Sequence, residues 1–325
     1  MTPGYTAAAA ASPNIALIKY WGNRIPVLRV PANGSISITL GGLETQTRVT
    51  FSEEWTQDRL ILEGKVIDGR ALSRVATHLD LIRQRSGVTL HACVESTSNF
   101  PLGAGIASSA SAFAALTLAA CAAAGLSLSS IELSRLARRG SGSACRSIFG
   151  GFVEWHAGTS DEDSYAEPLA PSEHWGLVNL VALVHREHKA VTSAEGHLLA
   201  ETSPLQAARV AGAPDRLREC REALLSRDFD RLARVVELDS NLLHAVMMTS
   251  DPALFYWLPD TLRIIHAVSE WRQKGLPVCY TIDAGPNVHC LCPVEVAQQV
   301  DSLLRRVPGV STLLRSQPGD AARLL

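Results

Sequence analysis

The spacing of apolar and polar positions changes texture partway along the chain. In the first half, short alternating runs are broken by turns, the mark of half-buried strands. Ser35 to Leu40 and Thr45 to Phe51 read as a strand pair around Gly41-Gly42, and Leu60 to Ile67 as a hairpin turning at Glu63-Gly64. Leucines and a valine recur on one face from Ala71 to Gln84, which predicts a helix, and Val88 to Glu95 alternates like a strand. A glycine-rich turn then leads into an Ala-rich helix over Ser108 to Ala124. A second helix starts at Ser129 or Ser130, a good N-cap with Glu132 in its first turn.

In the second half, Leu177 to Val184 is a continuous apolar run, hence a buried strand. Long helical patterns follow at Leu205 to Ser226, Phe229 to Met247 and Asp260 to Lys274. Val278 to Ile282 and Val288 to Cys292 read as strands flanking Asp283-Ala284-Gly285-Pro286. A final helix, Val294 to Arg306, leads to a last strand near Val310 to Leu314. The expected class is α+β, with antiparallel sheets carrying helices on one side. The boundary falls around residues 170–190, giving an N-terminal domain 1–180 and a C-terminal domain 181–325.

Composition narrows the function classes. Lys+Arg is 30 and Asp+Glu is 32, a formal charge of -2, which argues against a nucleic-acid binder held by a general basic field. A small anionic substrate met by a few local cations stays open. The most apolar run, near Ser108 to Leu126, is Ala-rich and broken by Ser and Thr, so a buried helix is the better reading than a membrane span. The alanine run Ala7 to Ala11 has no basic region ahead of it, which argues against a secretory signal. The 7 cysteines are scattered, and Cys290 and Cys292 are too close for a Cys-x-x-Cys zinc knuckle. Reduced thiols in a cytoplasmic protein are expected. His185, His188 and His197 match no standard metal-binding spacing.

Four segments carry candidate chemistry. Asn99 to Ser111 contains Pro101, Gly103, Gly105, Ala107, Ser108 and Ser109 ahead of a helix. Small residues let backbone approach a phosphate, and a helix N-terminus offers free N–H groups. Ser108 and Ser109 add hydroxyls, and Ser108 a possible Mg²⁺ contact; a plain tight turn is the competing reading. No Gly-Lys-Ser/Thr follows, so this is not a Walker A loop. Gly140 to Ser147 places Ser141, Ser143 and Arg146 beside flexible backbone, suited to a carboxylate or phosphate; a plain loop before a strand, with Arg146 in a surface ion pair, is the competing reading. Thr281 to Val288 sets Asp283 at a strand end before a rigid Gly-Pro turn, a placement for orienting a hydroxyl and accepting its proton, or for capping a turn. Ser12 to Gly22 brings Asn14, Lys19 and Tyr20 into a short apolar segment that either lines a pocket or packs in the core.

These segments, in this order, resemble the diphosphomevalonate and phosphomevalonate decarboxylases of the GHMP kinase superfamily, over about residues 7–292. Ser12 to Gly22, the Ala-Ser-Ser-Ala-Ser run and the Asp-Ala-Gly-Pro-Asn run are near-verbatim family motifs. The resemblance implies an N-terminal domain like ribosomal protein S5 domain 2, a ferredoxin-like C-terminal domain, a cleft between them, ATP with Mg²⁺, and a homodimer. It implies that Asp283 is the catalytic acid residue, that Arg146 grips the substrate carboxylate, and that Lys19 and Tyr20 sit beside the reacting end. Asn99, Pro101, Gly103, Gly105, Ala107, Ser108 and Ser109 would belong to the ATP site. Ser141 and Ser143 would line the substrate and nucleotide phosphates.

The chain departs from the family in two places. The family reads Tyr-Trp-Gly-Lys, and here the fourth residue is Asn23. The family has Ser-Ser-Arg after a Lys-x-Val, and here the arginine position is Ala194, in Lys189 to Ala194. Both missing cations hold the substrate's terminal phosphate in the family. A charge-assisted contact is worth ~1.5–3 kcal/mol, so losing two costs roughly a hundredfold or more in affinity. The expected substrate is therefore mevalonate 5-phosphate, giving isopentenyl phosphate, with the diphosphate as the alternative. Arg24, Ser193, His197 or Lys189 would hold the single phosphate. A kinase that stops at the 3-phosphate and a non-catalytic sensor are rivals; the retained Asp283, Arg146 and phosphate loop argue against both.

Overall fold

The computed structural model describes residues 5–101, 108–184 and 191–325. Within them the chain is α+β, built on a six-stranded and an eight-stranded sheet. The first sheet runs, in spatial order, Arg323–Leu324, Tyr5–Ala11, Thr45–Ser52, His91–Ser98, Arg59–Leu62 and Lys65–Ile67. The second runs Ala166–Ala170, Phe152–Trp155, Ser35–Gly41, Thr312–Pro318, Leu177–Leu183, Val288–Pro293 and Cys279–Thr281, with Asn14–Ile18 also paired to Ser35–Gly41.

Ser35–Gly41 and Thr45–Ser52 are both strands, but they do not pair with each other as the pattern predicts. They lie in different sheets. The cause is visible in their burial. Ser35–Gly41 is buried almost throughout, while Thr45–Ser52 alternates between covered and open positions. Gly42, at φ +80°, lets the chain cross from one sheet to the other. The hairpin at Glu63-Gly64 forms as expected, with both residues at positive φ.

The predicted helices are present as Arg70–Ser86, Ser108–Ala123, Ser130–Gly140, Phe229–Met248 and Pro259–Gln273. Ser129 caps its helix in a capping box with Glu132. The pattern Leu205 to Ser226 divides into Gln206–Ala211 and Ala213–Ser226, because Gly212 and Pro214 interrupt the ladder.

Helices cover both faces of the strand Leu177–Leu183, not one. Leu177, Val181 and Leu183 pack with Leu224, Leu232 and Val236, whereas Val178, Leu180 and Ala182 pack with Ile264, Val268 and Val300. The alanine run is the strand Tyr5–Ala11. Ala9 and Ala11 share a core with Ala114, Ala115 and Ala119 of the Ala-rich helix, so small side chains on both elements let strand and helix approach closely. Cys145, buried among them, has its thiol pushed up to about 12 by burial and is a neutral core residue.

Candidate active site

The strand Asn14–Ile18 is buried at every position and delivers Lys19 at its end. The Lys19 backbone is held on both sides. Its N–H donates to Asp239 Oδ2 at 2.6 Å, and its carbonyl accepts from Asn33 Nδ2 at 3.0 Å and Arg209 Nη2 at 2.6 Å. Asp239 also accepts from Arg216 Nε at 2.7 Å. Thr281 Oγ1 donates to Ala16 O at 3.4 Å, tying the strand before Asp283 to the strand before Lys19. Ser240 Oγ accepts the Ile282 N–H at 3.0 Å, and Gly285 N–H donates to Asp283 O at 2.7 Å, which fixes the turn.

These constraints bring Lys19 Nζ to 2.6 Å from Asp283 Oδ1. The lysine side chain is 2% exposed and the aspartate 28%, so the carboxylate is the partner that faces open space. Burial pulls the Lys19 pKa below its ordinary value, with Asp283 opposing. Burial works against the Asp283 carboxylate too, but Lys19, His289 and Arg146 outweigh it and hold its pKa below the usual range.

Arg146 lies in the 3₁₀ turn Gly142–Ile148 and is 3% exposed. Asn14 Oδ1 accepts from its Nε at 3.2 Å and Nη2 at 2.9 Å, and Ser35 Oγ accepts from Nη1 at 2.6 Å. Asn14 is itself fixed by donating to Ser147 Oγ at 2.7 Å and Ser143 O at 3.1 Å. Among the described residues no carboxylate lies within ion-pair distance of Arg146. A buried, pre-oriented guanidinium without a counter-ion is a site for an anionic ligand. Gly142 is required here, because a Cβ would fall 2.6 Å from the Tyr20 ring.

A cavity of about 510 Å³ gathers Lys19, Tyr20, Ser108, Ser109, Ser141, Ser143, Arg146, Ser193, Ala194, His197 and Asp283. Ser109 and Ser141 hydroxyls lie 3.2 Å apart, joining the start of the Ala-rich helix to the Gly140–Ser143 turn. Tyr20 stacks on His197 at 4.1 Å and donates to Asn23 Oδ1 at 2.5 Å. Asn23 therefore acts on the cavity through Tyr20. Arg24 is exposed, does not line the cavity and donates to Gly158 O at 3.3 Å, because its strand directs it outward. Asn99 and Pro101 are also off the cavity; Asn99 bridges Glu44 N–H at 2.8 Å and Gly42 O at 3.0 Å. Gly103, Gly105, Ala107, His185, His188 and Lys189 lie outside the described residues. Arg29 and Arg74 line the same cavity, and no motif around either one marks it. Asp239 was more discoverable, as an acid on the buried face of the helix Phe229–Met248.

Fold and site define a class, the GHMP-fold decarboxylases, and the chain belongs to the diphosphomevalonate decarboxylase family. Residues 11–166 match the diphosphomevalonate decarboxylase-like N-terminal domain, and residues 179–318 the mevalonate 5-diphosphate decarboxylase C-terminal domain. The diphosphomevalonate decarboxylase of Ganoderma lucidum is 38% identical over 92% of this chain and 81% of its own length. The Homo sapiens protein of the same name is 37% identical over 84% and 73%. The solved mevalonate diphosphate decarboxylase of Staphylococcus aureus superposes with a TM-score of 0.94 at 38% identity, over 98% of each chain. A second solved relative, TM-score 0.93 and 38% identical over 98% of each chain, is a complex with MVAPP, AMPPCP and magnesium.

Proposed function

We propose that this protein is an ATP-dependent decarboxylase of mevalonate 5-phosphate, forming isopentenyl phosphate, CO₂, ADP and phosphate. The Lys19–Asp283 pair beside the unpaired Arg146 supports the decarboxylase chemistry. The observation that carries the choice of monophosphate is the uncharged pair of positions 23 and 194: Asn23 is occupied with Tyr20, and Ala194 brings no charged side chain to the cavity it lines. The names of the relatives, and MVAPP in a solved one, favour the diphosphate as the second reading.

The chemistry is the same for either substrate. Arg146 holds the carboxylate. Asp283 accepts a hydrogen bond from the 3-hydroxyl and takes its proton as that oxygen attacks the terminal phosphorus of ATP. Because Lys19 keeps the carboxylate ionised, Asp283 acts first by orienting the hydroxyl. The C3–O bond of the resulting phosphate ester then breaks, inorganic phosphate leaves with the bonding pair, and the C–CO₂ electron pair forms the alkene at the tertiary carbon as CO₂ departs. Ser108, Ser109 and Ser141 suit the polyphosphate of ATP, whose role is to turn a poor leaving group into a good one. Among the described residues no group of three or more His, Cys, Asp or Glu forms a metal cage. Ser108, on the cavity wall, is the residue that would hold Mg²⁺, which would supply charge neutralisation to the polyphosphate. A homodimer of such subunits in the cytoplasm is part of the same proposal.

ATP-dependent CO₂ release, measured side by side on the 5-phosphate and the 5-diphosphate, tests the reading. Higher kcat/KM on the monophosphate supports it; higher kcat/KM on the diphosphate replaces it with the second reading.

A further inference from the structure

The phosphate end of the cavity has no cation at positions 23 and 194, yet two arginines outside the chemistry above face it. Arg29 and Arg74 line the cavity together with Tyr20, Ser141 and Gly142. They are anchored on successive carbonyls at the end of the helix Ser130–Gly140. Arg29 Nε donates to Arg139 O at 3.0 Å, and Arg74 Nη2 to Gly140 O at 3.4 Å.

A helix C-terminus attracts cations, and that accounts for one N–H of each side chain. It leaves the rest of both guanidiniums unexplained. Other arginines nearby do face a carboxylate: Arg135, Arg138 and Arg139 share Asp161, and Arg70 meets Glu195. Among the described residues Arg29 and Arg74 have no such partner. Arg74 Nε is buried without a hydrogen bond, and the guanidinium lies 5.0 Å over the Phe113 ring. Its pKa is lowered by burial and then by Arg29, so the two cations share one field. Arg29 also holds a left-handed backbone, φ 51° and ψ 34°, which a residue with a Cβ adopts reluctantly.

We propose that Arg29 and Arg74 form the seat of the substrate's 5-phosphate, in place of the cations missing at Asn23 and Ala194. The assignment rests on reading the cavity as the site of a phosphorylated mevalonate. Two guanidinium forks match the charge of one phosphate monoester, roughly −1.5 to −2 near neutral pH. They approach from the Gly140–Gly142 side, which draws the phosphate inward against Ser141.

The test is steady-state kinetics of Arg29→Ala, Arg74→Ala and Arg29→Gly with mevalonate 5-phosphate, the 5-diphosphate and ATP each varied. Arg29→Gly suits the left-handed backbone, so it keeps the fold where alanine strains it. Each substitution is expected to raise KM for the phosphorylated substrate about 10- to 100-fold, the effect of losing one charge-assisted contact, while KM for ATP stays within about twofold. Arg29→Lys should recover part of the loss. Unchanged KM for both phosphorylated substrates in Arg29→Gly and a folded Arg74 variant would overturn the seat and leave the proposed reaction intact. A selective rise in KM for ATP would also overturn it, by assigning the pair to the nucleotide. Wild-type preference for the diphosphate, with KM still raised in the variants, would sink the monophosphate reading and keep the seat.

Discussion

Lys19 Nζ and Asp283 Oδ1 meet at 2.6 Å although the two residues are 264 positions apart, and each is placed by its own set of backbone hydrogen bonds. The ion pair is thus a product of the whole fold, and its two members have different tasks. Both line the cavity, but the lysine is almost wholly covered and the aspartate is the more open of the two.

Replacing Asp283 by Asn keeps the shape and removes the base. We expect kcat to fall about 10²- to 10⁴-fold, with substrate binding by calorimetry changed far less. Near-normal turnover would exclude Asp283 from the chemistry.

Lys19→Met should show itself in the pH–rate profile. In the wild type Asp283 is held below its ordinary pKa, so activity persists as pH falls until that depressed value is reached. Without the ammonium, burial raises the aspartate pKa, and the acid limb moves to higher pH. The alkaline limb set by Lys19, whose own pKa is depressed below 10.5, should vanish. Superimposable profiles for the two proteins would refute the coupling.

Arg146→Lys keeps the charge and loses the planar fork that Asn14 and Ser35 orient. A drop in kcat/KM of about 100-fold is expected, with a smaller one for Asn14→Ala, which frees the guanidinium without removing it. Equal activity of Arg146→Lys and wild type would mean that no bidentate contact is made.

Asp239 is buried and serves Arg216 and the Lys19 backbone at once. Asp239→Ala leaves buried cations without a partner and should cost about 3–5 kcal/mol in denaturant unfolding. A loss under 1 kcal/mol would show that the network is dispensable.

His78 and His244 are buried, and burial holds both pKa values down to about 3. The unfolded chain takes up these protons near pH 6.5 and the folded chain does not, so stability is lost as pH falls from about 6.5 towards 3. Between pH 6.5 and 5 each histidine should remove roughly 2 kcal/mol. His78→Gln, which can keep the bond to Thr117 Oγ1, should flatten that dependence in urea titrations at the two pH values. A slope identical to wild type would contradict it.

Much of the site was readable because its side chains cluster in short motifs: Lys19-Tyr20, Ser108-Ser109, Ser141 to Arg146, and Asp283. What escaped was long-range geometry. Arg29 and Arg74 sit in unremarkable polar stretches, and only the packing of the helix Ser130–Gly140 brings them to the cavity. Arg24, expected among the phosphate-holding residues, is instead directed outward by its backbone to Gly158. The separation of Ser35–Gly41 from Thr45–Ser52 was likewise hidden, since alternation reports which face of a strand is covered and not which sheet it joins.

The last two strands carry a consequence for how the molecule is made. Thr312–Pro318 is inserted between Ser35–Gly41 and Leu177–Leu183, and Arg323–Leu324 pairs with Ala9 and Ala10 at the start of the chain. Leu177–Leu183 and Tyr5–Ala11 therefore each keep an edge open until the segment from Thr312 to Leu324 has folded back onto them. Closure of the two sheets thus depends on contacts made across nearly the whole described sequence, and a chain cut before Thr312 would present those edges to any other unpaired strand nearby.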